Sequence, residues 1–219
     1  MGGIKMSIAI DGPSGAGKST IAKALAKKLN IAYVDTGAMY RALAYAFIDM
    51  GDPKDYHQAL EKMQLKISPE GIYYKDKLLT DELRTSQVSK RASELSKEPA
   101  IRTYLLDYQR KLASDQDVVM EGRDIGTVVL KDAKVKFFLT ASDQIRARRR
   151  YQQNLEKGIQ IPLDQVEKDL KERDDRDRTR SLAPLKQAED AIVIDNSDLT
   201  LEETVEKMAA IVEVKNGTL

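Results

Sequence analysis

Short apolar runs alternate along this chain with segments whose apolar residues recur every three to four positions. SIAI (7–10) is a run of the first kind and predicts a strand, whereas GKSTIAKALAKKL (17–29) places Ile21, Leu25 and Leu29 at helical spacing. AYV (32–34) predicts a short strand, and MYRALAYAFIDM (39–50) a helix stopped at Gly51 with Pro53 just beyond. Helical spacing returns after Pro99 in IRTYLLDYQRKL, and DVVME (117–121) and KVKFFL (134–139) predict two further strands. Residues 142–156 and 163–178 read as charged helices separated by Gly158 and Pro162, followed by a last strand, AIVID (191–195), and a last helix at 201–214. The rhythm breaks at 54–100, where QLKISPEGIYYKDKLL predicts a small hairpin turning near Pro69–Gly71.

Strands buried on both faces and separated by helices predict a parallel sheet covered on both sides, so the expected class is α/β. The polar stretch at 54–100 and the charged pair at 142–181 stand outside that alternation as insertions at loop positions. The core expected around them is 1–53, 101–141 and 182–219.

Between the first strand and the first helix lies GPSGAGKST, that is Gly12, Pro13, Ser14, Gly15, Ala16, Gly17, Lys18, Ser19 and Thr20. The Gly-x4-Gly-Lys-Ser spacing has a mechanism. Glycines let backbone N–H groups converge on phosphate oxygens, and the helix N-terminus behind them adds the positive end of its dipole. Lys18 reaches the β- and γ-phosphates of a nucleotide, and Ser19 is placed to ligate Mg²⁺. A glycine-rich turn that merely opens a helix is the plainer alternative, and the strand before with the helix after favours the cradle. The expected fold is thus a P-loop NTPase-like parallel sheet flanked by helices.

A phosphate cradle does not by itself separate GTPase, motor, kinase or regulator. DNSDL and KNGTL do not fit the Asn-Lys-x-Asp that reads guanine, and in place of a strand ending in the usual metal-side aspartate, 117–121 ends in Glu121, followed by Gly122-Arg123-Asp124. Two polar insertions on a compact chain suit a small-molecule kinase with mobile flaps. Phosphoryl transfer asks the protein chiefly for positioning and charge neutralisation, and arginine, permanently charged and bidentate, suits that work. Arg41 follows a strand end and the Asp35-Thr36-Gly37 turn, and Arg123 follows another strand; both strand ends should open onto the crevice of the P-loop. In ERDDRDRTR (172–180) a helix would put Arg173, Arg176, Asp177 and Arg180 along one face. The alternative is a solvated, salt-bridged helix, and the use of Arg rather than Lys argues against it. IRARRR (145–150) is open to either reading.

GPSGAGKST together with YVDTGAMYRA, EGRDIGTVV and KERDDRDRTRSLAPL resembles the bacterial cytidylate kinases, over residues 5–212. The resemblance implies a kinase moving the γ-phosphate of ATP to CMP or dCMP with Mg²⁺, an NMP-binding insert at 54–100 and an arginine-rich helical lid at 142–181. It implies base and ribose contacts at Ser93, Arg102, Asp124, Arg173 and Asp177, an acceptor-site hydroxyl at Thr36, and Arg41 and Arg123 on the acceptor phosphate. Arg180 is implied as a lid residue reaching the transferring phosphate, with Arg176 beside it. Glu121 departs from the pattern, which has Asp there. Cytosine chemistry agrees: a carboxylate such as Asp124 can accept from the exocyclic amine, where uracil presents a carbonyl. His57 and the pair Met39 and Tyr40 carry no expected chemistry.

Composition adds limits. The chain of 219 residues is 42% hydrophobic, with aromatics at only 5%, so its core should be aliphatic. A net charge of +1 despite 32% charged residues gives no global case for nucleic acid, which weakens a rival reading as a nucleotide-dependent RNA-binding module. A kinase for another acceptor, UMP or a small hydroxy acid, is the nearer rival. No cysteine is present, no apolar run approaches the roughly 20 residues that span a bilayer, and MGGIKM lacks a signal-peptide core. The expectation is a cytoplasmic monomer acting on small molecules, with no nucleic acid and no membrane partner. Crowded arginines repel one another, so the 142–181 lid is expected to stand away from the P-loop until phosphates supply counter-charge.

Overall fold

The computed structural model describes residues 5–68 and 71–217. In chain order its elements are β1 (Ser7–Asp11), α1 (Lys18–Leu29), β2 (Ala32–Asp35), α2 (Thr36–Asp49), α3 (Tyr56–Lys62), β3 (Leu65–Ser68), β4 (Gly71–Tyr74) and β5 (Lys77–Leu78). They continue with α4 (Ser86–Leu95), α5 (Pro99–Asp115), β6 (Val118–Gly122), β7 (Val135–Thr140), α6 (Asp143–Glu156), α7 (Leu163–Thr179), β8 (Ile192–Asp195) and α8 (Leu201–Asn216). Five parallel strands form the main sheet in the order β2-β6-β1-β7-β8.

Side chains alternate across that sheet, and the alternation builds two cores. Ile8, Ile10, Val119, Phe137 and Ile194 face α1 and α8, where Ile21, Leu25, Met208 and Val212 meet them. Ala9, Val34, Val118 and Met120 point the other way, against Leu43 and Phe47 of α2 and Ile101 and Leu105 of α5. Each fully buried Leu, Ile or Phe here contributes about 1.5–3 kcal/mol relative to exposure. Both faces are covered, as a parallel sheet requires, and the carboxyl ends of all five strands come to one edge.

Three expectations change. The helix expected from residue 39 begins at Thr36, because the Asp35 side chain accepts from the Ala38 N–H at 2.8 Å and caps it. The 54–100 stretch is more than a hairpin: β3, β4 and β5 form an antiparallel sheet, and α3 and α4 flank it. The hairpin's turn was placed near Pro69–Gly71, of which 69–70 lie outside the described residues, while Ser68 pairs with Gly71. Leu79, Leu83, Val88 and Leu95 of this insert join the same apolar cluster as Phe47 of α2, so it is fixed at its base by burial. The third change is that α7 stops at Thr179, and Arg180 leaves it in extended conformation (φ −61, ψ 137) rather than continuing the helical face.

Candidate active site

At the carboxyl edge of the sheet a crevice of about 1100 Å³ runs from the P-loop, between α4 and α6, to the loop after β6. That volume is at the upper end for small-molecule sites and leaves room for two nucleotides. Ser14, Gly15, Gly17, Lys18, Ser19 and Thr20 line one end, while Gly12, Pro13 and Ala16 are buried behind them. Gly12 shows why the loop needs glycine. With φ +153, a Cβ at this position would lie 2.0 Å from the Leu139 carbonyl oxygen. Gly17, left-handed at φ +85, is the residue from which α1 starts, which leaves the first N–H groups of that helix without a capping side chain and free for an anion.

Lys18 is buried, and its Nζ donates to the Pro13 carbonyl at 2.7 Å. Burial, then the Arg123 and Arg173 charges, lower its pKa to about 7, while Glu121 pulls the other way. Beside it, Glu121 accepts from the Tyr33 hydroxyl at 2.9 Å, and Ser19 lines the crevice with it. Burial and the Asp35 carboxylate, its register partner on β2, raise the Glu121 pKa. Two carboxylates and a hydroxyl thus share one corner, a donor set of hard oxygens that suits Mg²⁺. Among the described residues no three acidic or imidazole side chains converge to hold a metal ion by themselves.

Around the middle of the crevice the arginines divide into paired and free. Arg41 donates to Asp35 at 3.0 Å, and Arg123 to Asp177 at 2.9 Å. Arg173, by contrast, forms no ion pair among the described residues. Burial and the charges of Arg123, Arg41 and Arg150 lower its pKa to about 10, with only Asp177 opposing. An unpaired, partly desolvated guanidinium surrounded by others is a site waiting for anionic oxygens.

The far end is organised on Asp124, 6% exposed. One of its oxygens pairs with Arg102 and the other with Arg180 at 3.2 Å. Arg102 stands behind Asp124 and does not reach the crevice wall, whereas Arg180 lines it. Ser93 lines the crevice, and its carbonyl accepts from the Ser96 hydroxyl at 2.8 Å, which in turn meets Arg180 at 3.4 Å. Thr36 is buried with its hydroxyl donated to the Glu121 carbonyl at 2.7 Å, so it ties the start of α2 to the end of β6. Arg176 departs from expectation: it is exposed and lines no part of the crevice. The helical repeat carries it to the flank of α7, and the inward position goes to Asp174.

Asp174 fastens the 142–181 segment to the P-loop. Its carboxylate accepts from the Ser14 N–H at 3.0 Å and pairs with Arg146, whose guanidinium donates at 2.7 Å to the Ser14 carbonyl. With Asp177 on Arg123 and Asp124 on Arg180, the 142–181 segment lies against the P-loop. Counting arginines alone missed the aspartates interleaved among them, which supply the counter-charge from within the chain.

Asp11 is a further residue that sequence reasoning passed over. It ends β1, is 3% exposed, and accepts from the Ile125 and Gly126 N–H groups, both at 2.8 Å, fixing the loop that carries Arg123 and Asp124. Its signal was available: an acid at the end of an apolar strand, immediately before Gly12. Burial outweighs those two hydrogen bonds and raises its pKa from an ordinary 3.8 to about 6. The folded state therefore holds this proton more tightly than the unfolded chain. Stability falls as pH rises from about 4 to about 6 and stays lower above that. Asp11→Asn should flatten this segment of the Tm-against-pH curve relative to wild type. It should also lower kcat/KM about tenfold, because an amide retains one acceptor for two donors. An unchanged curve together with unchanged kcat/KM would remove Asp11 from the support of the loop.

A family model described as cytidylate kinase matches residues 8–214. The chain is 48% identical over 207 residues to a cytidylate kinase of Alkaliphilus oremlandii, covering 93% of this chain and 95% of that protein. A cytidylate kinase of Carboxydothermus hydrogenoformans is 46% identical over 222 residues, covering 98% and 100%. Among solved structures, a shikimate kinase from Bacteroides thetaiotaomicron matches with a TM-score of 0.52 at 14% identity, over 95% of this chain and 98% of that one. An uncharacterized protein from Eubacterium ventriosum matches at 0.57 and 14% identity, over 95% and 99%. At such identities the likeness is one of fold, the parallel sheet with its P-loop.

Proposed function

The chain belongs to the cytidylate kinase family and carries its ATP-dependent phosphorylation of CMP or dCMP, which we propose takes place along the crevice between Lys18 and Asp124. The observation that carries this reading is the order of groups along it. A phosphate cradle stands at one end, a carboxylate held by two guanidiniums at the other, and the unpaired Arg173 lies between.

ATP lies with its triphosphate on the P-loop, residues 12–20, with Lys18 on the transferring phosphate. CMP takes the far end. Asp124 accepts from the cytosine amine with Ser93 beside the base, and Arg102 holds the Asp124 carboxylate in place. Asp177 and Arg173 stand along the ribose, and Arg41, Arg123 and Thr36 face the acceptor phosphate. The acceptor oxygen is already an anion, so no base is needed, and Arg173 and Lys18 neutralise charge as the phosphoryl group moves in line. Arg180, expected on the transferring phosphate, is instead held at the base end by Asp124 and the Ser96 hydroxyl. Ser19 and Glu121 would hold Mg²⁺, which would supply charge neutralisation on the donor phosphates. In this arrangement 54–100 is the acceptor insert and 142–181 the lid over a core of 1–53, 101–141 and 182–219. The enzyme works as a cytoplasmic monomer; sedimentation at the mass of one chain checks the monomer.

ADP release measured across the four ribonucleoside monophosphates and a small hydroxy acid such as shikimate tests the function. CMP should give by far the highest kcat/KM, and a preference for any other acceptor would overturn the reading. In the same assay Asp124→Asn should narrow the ratio of kcat/KM for CMP over UMP by roughly ten- to a hundredfold. One mismatched polar pair at the base is worth about that. Equal losses for both acceptors would make Asp124 a scaffold for its arginines rather than a reader of the base.

A further inference from the structure

Asn196 follows β8 directly, is 1% exposed, and none of the roles above uses it. Its backbone N–H donates to the Thr140 carbonyl at 2.9 Å, extending the pairing of β8 with β7, so the main chain here is fixed by the sheet. The side chain then joins two parts of the crevice. Its amide NH₂ donates to the Ala16 carbonyl at 3.0 Å. Its amide oxygen accepts from Arg149 Nη1 at 2.9 Å, and its main-chain carbonyl accepts from Arg149 Nη2, also at 2.9 Å.

The partners settle the orientation of the amide. The Ala16 carbonyl can only accept and a guanidinium can only donate, so oxygen must face Arg149 and nitrogen must face Ala16. Only a side chain with a donor and an acceptor on one short planar group meets both. Aspartate would satisfy Arg149 and turn an anionic oxygen toward the Ala16 carbonyl, while alanine would leave the Ala16 carbonyl and Arg149 Nη1 unmet and keep only the main-chain contact to Nη2.

Each bond acts on a group of the crevice wall: Arg149 and Gly17 line it, and Ala16 shares its peptide with Gly17. Carbonyl and N–H of a trans peptide point opposite ways, so holding the Ala16 carbonyl also holds the Gly17 N–H in one direction, at the residue from which α1 starts. Arg149 belongs to α6, and Asn196 clamps two of its nitrogens beside Gly17; a Cβ on Gly17 would come within 3.9 Å of Arg149 Nη1. Burial lowers the Arg149 pKa and Asp195 only partly opposes this.

We propose that Asn196 is a positioning residue for the donor nucleotide, acting through the Ala16–Gly17 peptide and the Arg149 guanidinium to set the affinity for ATP. This rests on the placement of ATP at the P-loop. It goes beyond that placement in naming a residue outside the loop, directly after the last strand of the sheet, on which the loop depends.

The test is equilibrium binding of ATP with Mg²⁺, without acceptor, by calorimetry on the full chain, alongside KM for each substrate. Asn196→Ala should raise the Kd for ATP about tenfold or more and raise KM for ATP in parallel, while KM for CMP stays within about twofold. Asn196→Asp should bind ATP as poorly as Asn196→Ala, since it cannot donate to Ala16. Arg149→Met, on the crevice wall rather than in the core, should weaken ATP as well, and adding Asn196→Ala to it should cost less than Asn196→Ala costs wild type. It carries the test should the Asn196 variants not fold: loss of ATP affinity in Arg149→Met supports the proposal, and unchanged affinity overturns it. Unchanged ATP affinity in a folded Asn196→Ala, or equal losses for ATP and CMP, would also overturn it. Failure of the functional reading would look different: wild type would bind ATP and turn over no CMP.

Discussion

Lys18→Ala should abolish nearly all turnover, with kcat falling by at least roughly 10²–10³-fold and the Tm little changed or raised. The asymmetry follows from where the charge sits. A buried ammonium beside Arg123 and Arg173 is costly to the folded state, as its lowered pKa of about 7 records, so truncation relieves more strain than it creates. What is lost is a cation whose hydrogen bond to the Pro13 carbonyl can be exchanged for the phosphate in flight. The same shift predicts a pH signature. Triphosphate binds the protonated lysine, so wild-type affinity for ATP should be flat below about 7 and fall up to tenfold per unit above it. In Lys18→Ala that segment should be absent. A folded variant retaining near-wild-type kcat, or the same alkaline loss of affinity, would take Lys18 out of the transfer site.

The chain announced its fold more clearly than its closed geometry. Strand-helix alternation placed all five strands of the main sheet to within about a residue or two, because both faces are covered and apolar runs mark such strands. GPSGAGKST placed the phosphate end of the crevice, because glycine has few other reasons to recur at that spacing. The insert was read poorly. α3 and α4 are short, and α4 is polar on its outer side, so only Val88, Ala92 and Leu95 mark its buried face. Their burial depends on Phe47 and its neighbours on α2, a tertiary fact that no local window contains. At the site, arginines stood out by number, but not all of their partners did. Asp177 was legible on the arginine face, but Asp174 is indistinguishable in sequence from the exposed Asp175, and only helical phase relative to Ser14 separates the two. Asp11 and Asn196 lie at strand ends like Glu121. The rule that strand ends open on the crevice reached Glu121 and could have reached them too.

Asp174→Ala should be the most destabilising of the substitutions discussed here. Arg146 has a side chain only 5% exposed, and Asp174, at 2%, is its one buried counter-charge; the other partner, Asp143, is 68% exposed. An intact buried pair adds little stability, because desolvating both ions offsets their attraction. Removing one ion leaves the whole desolvation cost of the other, commonly about 3–5 kcal/mol. For a chain of this size that corresponds to a fall in Tm of about 6–20 °C. Asp143 and the Ser14 carbonyl retain part of the guanidinium's partners, so the lower half of that range is the expected result. The loss should also be local first. With Ser14 N–H released and Arg146 uncompensated, amide exchange across α6 and α7 should accelerate before global unfolding does, and ATP affinity should fall with it. Replacing both members, Arg146→Met with Asp174→Leu, should recover most of the Tm because no charge is left buried, yet should not recover ATP affinity, because Ser14 still lacks its two contacts. A Tm within about 2 °C of wild type for Asp174→Ala would mean that the charges of α7 are solvated and that the segment does not close on the P-loop.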